Sequence, residues 1–306
     1  MKQSKYNYIY HTESGSYWMN GITRAVLKFS NSLGKKIHKM LNDLETIKLG
    51  SQKLYELLTT GGFIIPQETD EIQVIRKSYT DYVNAKNYFL IIMPTLDCNF
   101  KCQYCVQAHI PSQMNDATID KIKRHIQFMI EKEGIRSLTL EWFGGEPFLY
   151  FDEVVKPITL FAKEQCSNAN VPFYAGATSN ASLISGEVSS HFKELSFNHF
   201  QITLDGDRSL HDSIKFGKNK FSAFDTTLTN ISTLVHNNPS ATISLRINYT
   251  DETLNSNIVS EVSERLDKGI RSNIIINLKK VWQHSVDKSR FDRCLKILRN
   301  CLNLIQ

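Results

Sequence analysis

Residues 89–105 read Phe-Leu-Ile-Ile-Met-Pro-Thr-Leu-Asp-Cys-Asn-Phe-Lys-Cys-Gln-Tyr-Cys. An apolar, β-rich run leads directly into three cysteines spaced Cys-x3-Cys-x2-Cys, half of the six in the chain. Outward from this point the same alternation recurs, a short β-rich run followed by a longer amphipathic stretch, which is the pattern of βα units around a parallel sheet. The strands read Phe89 to Thr95, Ser137 to Phe143, Val171 to Thr178, His199 to Leu204, Thr242 to Asn248 and Asn273 to Lys279. A helix is expected after each. The last, from about Asp287, places Phe291, Cys294, Leu295, Leu298, Cys301, Leu302 and Ile305 on one apolar stripe. The fold class is therefore α/β, six units making a partial (β/α)6 barrel or an open curved sheet, two units short of the full eight.

Residues 1–87 read as a separate small α+β appendage, and 88–306 as the barrel core. The appendage shows strands near Tyr6 to Tyr10, Ile22 to Phe29 and Phe63 to Ile65, helices from Ser32 and around Leu54 to Thr59, and a charged helix from about Glu68 to Val83. With 41% hydrophobic and 22% charged residues among 306, disordered and low-complexity classes are excluded. No apolar run approaches the ~18 residues of a membrane span, and the polar start Met1-Lys2-Gln3-Ser4-Lys5 leads into no secretory signal. A cytoplasmic location without membrane association is expected. The net charge of +5 is concentrated in residues 1–50, which hold eight Lys/Arg against three Asp/Glu. Lys35, Lys36, His38 and Lys39 fall on one helical stretch, a docking face for an acidic peptide or simply a solvated face. No aromatic interleaving accompanies them, so nucleic acid is not an expected partner.

Cysteines in such a compartment bind metal, react or lie buried. Three thiolates on one short loop, Cys98, Cys102 and Cys105, can hold three irons of a cubane cluster and leave the fourth open to a small molecule. Zinc is the competing reading, since His109 would complete a Cys3His set. Cys294 and Cys301 lie on the apolar stripe of the last helix and Cys166 ends another helical segment, and all three read as core or near-core thiols.

Cys-x3-Cys-x-aromatic-Cys, with Tyr104 as the aromatic residue, resembles the signature of radical S-adenosylmethionine (SAM) enzymes. Gly144-Gly145-Glu146-Pro147 resembles that family's GGEP motif, and Thr203-Leu204-Asp205-Gly206 with His211-Asp212 resembles its SLDG…HD segment. The likeness covers residues 85–306, and the N-terminal segment is similar to the front of peptide maturases and of the anaerobic sulfatase-maturase-like (SPASM-type) group. It implies a [4Fe–4S] cluster on Cys98, Cys102 and Cys105 that cleaves SAM to a 5′-deoxyadenosyl radical. That radical abstracts hydrogen from a peptide or protein side chain, with electrons from an external donor such as flavodoxin or ferredoxin.

Within the resemblance, Tyr104, Gly144, Gly145, Glu146, Ser179, Asn180, Asp205, Arg246 and Asn248 are the expected cofactor-binding residues. The two glycines let backbone approach a ligand closely, in the family the SAM amino group, with Glu146 as a hydrogen-bonding anchor and Pro147 ending the strand. Ser179 and Asn180 present polar side chains to SAM, although Ala181 stands where the family has Gly. Asp205 is placed for the ribose hydroxyls. Arg246 and Asn248 point to one face of their strand, an interior otherwise expected to be apolar, and the SAM carboxylate would serve as the arginine's partner. Lys215 stands where the family often has Arg. Trp282, in a segment similar to one beside the adenine, reads as core packing. The relatives' C-terminal auxiliary-cluster domain is not expected in this chain, and no general base is nominated. The alternatives are a sulfatase-type maturase forming formylglycine, a zinc-stabilised peptide-binding scaffold and an inactive fragment.

Overall fold

The computed structural model describes residues 1–102, 104–105, 107, 109–215, 222–250, 253 and 257–281. The expected final helix from Asp287 and Trp282 lie outside the described residues. The chain forms two compact units, Met1–Ala85 and Lys86–Gln306.

In the first unit, β1 (Lys2–Gln3) pairs antiparallel with β5 (Ile64–Ile65), and β2 (Asn7–Thr12), β3 (Gly15–Asn20) and β4 (Val26–Phe29) form an antiparallel sheet in that order. Helices α1 (Asn31–Met40), α2 (Leu44–Gly50) and α3 (Gln52–Thr60) follow β4, and α4 (Glu71–Asn84) closes the unit. Trp18 of β3 is fully buried among Ile37, Leu41, Ile47, Leu58 and Phe63, and its indole N–H is satisfied by the Ser16 hydroxyl at 2.8 Å. Burying that ring removes a large apolar area while its one polar atom keeps a partner. The single strand expected over Ile22 to Phe29 begins only at Val26. The Asn20 side chain accepts from the Ile22 and Thr23 amides, and Arg24 takes φ +62°, so the chain turns before it extends.

The second unit is built on six strands, β6 (Asn87–Ile92), β7 (Ser137–Trp142), β8 (Phe173–Ser179), β9 (Phe197–Asp205), β10 (Thr242–Tyr249) and β11 (Ile274–Lys280), all parallel and in sequential order. This is the α/β sheet of the expected partial (β/α)6 barrel. The crossovers carry α5 (Asp116–Glu131), α6 (Lys156–Asn168), the short α7 (Gly186–Ser190), the pair α8 (Arg208–Ile214) and α9 (Ala223–Asn237), and α10 (Asn257–Arg265). A 3-10 turn (Pro147–Tyr150) and a π-helical turn (Phe151–Val155) precede α6, so Pro147 opens a helical turn rather than ending the strand.

Strict alternation along the strands sorts the two faces of the sheet. Leu138, Leu140 and Trp142 are buried in the core with α5 and α6, while Ser137, Thr139 and Glu141 between them are only half-buried. The same holds on β10, where Ile243, Leu245 and Ile247 are buried and Ser244 and Arg246 are half-buried. The inner face beneath Arg246 is thus polar, with Thr178, Gln201, Thr203 and Ser244 in register on neighbouring strands. This corrects the expectation of an apolar interior: the core lies between sheet and helices, with Phe192 within 4.9 Å of both Phe197 and Phe200, ring centre to ring centre. Cys166 is fully buried there, and burial pushes its thiol up to about 11. Among the described residues no helix is long and apolar enough to cross a membrane.

Candidate active site

A cavity of about 750 Å³ opens at the C-terminal ends of the strands. All three cysteines of the triplet line it, as do Tyr104, Gly144, Gly145, Ser179, Asn180, Arg246 and Asn248. The cysteine loop is held by its own polar atoms. Asp97 N–H donates to Thr95 Oγ1 at 2.8 Å, Cys98 N–H to Asp97 Oδ1 at 2.9 Å, and Phe100 N–H to Cys98 Sγ at 3.4 Å. All three thiols are half-buried and free of disulfides. Burial pushes the Cys102 thiol up to about 11.

The glycine pair binds protein before ligand. Gly144 lies at φ +126°, and a Cβ on Gly145 would fall 1.8 Å from the Asp97 carbonyl oxygen. Gly145 N–H donates to Thr95 O at 3.2 Å and Glu146 N–H to Asp97 O at 2.9 Å, so the end of β7 is stitched to the segment that enters Cys98. The close approach is to backbone of the cysteine loop, which no side chain would permit.

Glu146 lies behind the cavity wall, fully buried. Its Oε1 accepts from the Ser179 hydroxyl at 2.9 Å and the Phe148 amide at 3.2 Å, and Oε2 accepts from the Asn180 amide at 2.9 Å. It therefore ties the end of β7 to the end of β8. Burial raises its carboxyl to about 7 against these hydrogen bonds. Asn180 in turn donates to Asn99 Oδ1 at 2.9 Å in the cysteine loop. Ala181, which departs from the family's glycine, adopts φ +61° while fully buried, a conformation glycine takes without strain.

Asp205 is also buried behind the wall. Its Oδ1 accepts from the Tyr104 hydroxyl at 2.6 Å and from Asn248 Nδ2 at 2.9 Å. Burial, then the Asp205 charge, raises the Tyr104 phenol, which keeps it a donor. Lys215, 2% exposed, places its ammonium 3.5 Å from Asp205 Oδ2 and donates to Thr203 O at 2.7 Å. The Asp205 amide donates to Nδ1 of buried His211, whose pKa burial lowers well below 6.5, so the ring is neutral. Arg246 Nε donates to Asn248 Oδ1 at 3.0 Å, and no carboxylate lies within ion-pair distance of its guanidinium among the described residues. Sequence reasoning did not single out Thr178 and Gln201 of the cavity wall, and quoted Thr203 only as the start of the SLDG-like segment, although polar residues at every second position of a strand carry that signal.

His109 also lines the cavity, with Nδ1 buried and without a partner. Among the described residues no three His, Cys, Asp or Glu side chains are grouped as around a single metal ion.

The sequence profile of the Radical SAM superfamily matches residues 92–258, more than half of the chain. The chain belongs to this superfamily of enzymes. It is 27% identical over 154 residues to the cysteine-type anaerobic sulfatase-maturating enzyme of Clostridium novyi (strain NT), covering 49% of this chain and 41% of that enzyme. Its fold is similar to that of native anSMEcpe with bound AdoMet and the Cp18Cys peptide, at TM-score 0.53 and 16% identity over 71% of this chain and 58% of that one. It is also similar to HydG, a maturase of the [FeFe]-hydrogenase, at TM-score 0.50 and 13% identity over 87% and 65%. The chain spans less than half the length of the curated relative and under two thirds of either solved chain.

Proposed function

We propose that Cys98, Cys102 and Cys105 hold a [4Fe–4S] cluster, that SAM binds beside it in the same cavity, and that the enzyme modifies a peptide side chain. The observation that carries this reading is the shared wall: the three thiols, the Gly144-Gly145 backbone and the Arg246 guanidinium all face one cavity large enough for a nucleoside ligand. The donor set fits. Three thiols on one cavity wall suit three irons of a cluster, and Arg246 offers an anionic ligand group a partner that the described residues do not supply. A cluster and SAM held there would, given one electron from an external donor, supply methionine and a 5′-deoxyadenosyl radical able to take hydrogen from an unactivated carbon. The chain's part is orientation and exclusion of water. Tyr104 and Asn248 are fixed by Asp205, and Asn180 is fixed by Glu146, so Asp205 and Glu146 act as positioning residues rather than as ligand contacts. Anaerobic reconstitution with iron and sulfide, then SAM and dithionite, is expected to yield 5′-deoxyadenosine by mass spectrometry. Its absence from folded, iron-loaded protein overturns the reading.

Gly145→Ala tests the stitched strand end. The new Cβ meets a backbone carbonyl that cannot yield without moving the cysteine loop, so cluster retention under chelator challenge is expected to fall about 10–100-fold. Retention equal to wild type removes the positioning argument.

A peptide substrate is supported by the peptide bound to native anSMEcpe. Formylglycine formation is the second reading, favoured by the sequence similarity to an anaerobic sulfatase-maturating enzyme. On α1, Lys35, Lys36 and Lys39 are all exposed while Gly34 and Ile37 pack inward, which leaves the lysines available to an acidic peptide. Reversing all three to Glu is expected to weaken peptide binding about tenfold at low salt and less at high salt. Unchanged affinity in a titration removes this docking face.

A further inference from the structure

Glu141 belongs to no motif. It lies on the inner face of β7, in register with Ile91 on β6 and Gly176 on β8, and Gly176 is in turn in register with His199 on β9. Its carboxylate rests over Gly176: a Cβ there would fall 2.4 Å from Glu141 Oε2, so the missing side chain makes the space the carboxylate occupies. Its polar neighbour is the Thr178 side chain, which lines the cavity. No cation lies within ion-pair distance among the described residues. The other carboxylate on this side of the sheet, Asp205, is held by Tyr104, Asn248 and Lys215. Burial raises the Glu141 carboxyl to about 7, the mark of a half-buried acid short of a counter-charge.

The surroundings say what would complete it. Ile91 is 58% exposed, Tyr174 45% and Phe143 38%, so this acid is set in an apolar and aromatic surface open to solvent. A carboxylate point charge at the base of such a surface is complementary to a long side chain with an aliphatic stem and a cationic head. We propose that Glu141 receives a lysine or arginine side chain of the peptide substrate, with Ile91, Phe143 and Tyr174 taking its methylene stem. The assignment rests on the peptide-modifying reading above and names a feature of the substrate. Thr178 and the adjoining cavity wall then place the neighbouring peptide residues toward the cysteine loop.

The test is selection of a displayed random-peptide library on reconstituted, SAM-loaded protein, wild type against Glu141→Gln. A basic residue at one fixed position is expected among peptides retained by wild type, and that preference is expected to vanish with Glu141→Gln. In a retained peptide, Lys→norleucine should weaken binding about tenfold to wild type and under about twofold to Glu141→Gln. The same preference in wild type and Glu141→Gln, or no basic preference in wild type, overturns the assignment. Failure of wild type to retain any peptide overturns peptide recognition itself, and the assignment with it. 5′-deoxyadenosine from the same preparation reports separately on cluster and SAM.

Discussion

Protein carrying Cys98→Ala, Cys102→Ala and Cys105→Ala together is expected to retain no iron above background after reconstitution, and to form no 5′-deoxyadenosine, while the parent holds about four irons per chain. The size of the effect follows from the donor set. All three thiols face one cavity, beside Phe100, Tyr104, Gln107 and His109 of the same segment, while the side chains of Asp97 and Asn99 hydrogen-bond within the protein. Alanine removes the bond from the Phe100 amide to Cys98 Sγ but leaves those of the Asp97 and Cys98 amides in place, and a melting experiment on the variant separates loss of fold from loss of ligand. His109→Ala is the companion variant. It is expected to keep its iron, because a cluster held by three thiolates does not need the imidazole. A wild-type chain that binds one zinc and loses it on His109→Ala would overturn the cluster assignment and restore the Cys3His reading.

How far the strands could be read depended on what bounds each run. Ser137 to Phe143 and Thr242 to Asn248 differ from the observed strands by one residue, because alternation is strong and the ends are marked by Gly-Gly and by polar loops. In the first unit β3 went unread. Gly-Ser-Tyr-Trp-Met-Asn alternates weakly, and its assignment rests on pairing with both β2 and β4, a non-local fact. The site shows the same division. A motif at a strand end says which residues stand at the mouth of the barrel but not which way each side chain turns. Glu146 is followed at once by a 3-10 turn that it caps through the Phe148 amide, and this carries its carboxylate inward. Asp205 turns inward because Tyr104 and Asn248, 101 and 43 residues away in sequence, converge on it. Lys215 could be noted as a departure from the family's Arg, but its burial against Thr203 and Asp205 depends on how α8 returns to β9.

The inward turn of Glu146 makes it the most consequential residue outside the cavity wall. Removing its carboxylate with Glu146→Ala leaves the Ser179 hydroxyl and the Phe148 and Asn180 amides without that acceptor in a buried position. At about 1–3 kcal/mol for each such group, a loss of about 3 kcal/mol or more is expected. Set against a total of about 5–15 kcal/mol, that brings the variant close to unfolding. The wild-type carboxyl also links stability to pH. Its folded-state pKa of about 7 lies above the ordinary 4.5, so between these values the folded chain holds a proton that the unfolded chain has released. The associated stability is fully present below 4.5 and is lost as pH rises through about 7. A shift of this size corresponds to roughly 3 kcal/mol. Glu141, also raised to about 7, adds to the effect with the same sign. In urea unfolding of reduced, metal-free protein the Glu146 contribution is therefore expected to be larger at pH 5.5 than at pH 8, opposed in part by buried His211, whose lowered pKa acts with the opposite sign. Glu146→Gln, which cannot titrate, should lower stability at pH 5.5 relative to pH 8 when compared with wild type, and Glu141→Gln should do the same to a smaller extent. A Glu146→Gln profile that follows wild type across the window would mean that this carboxylate is already ionised in the folded protein, with the three donors outweighing its burial.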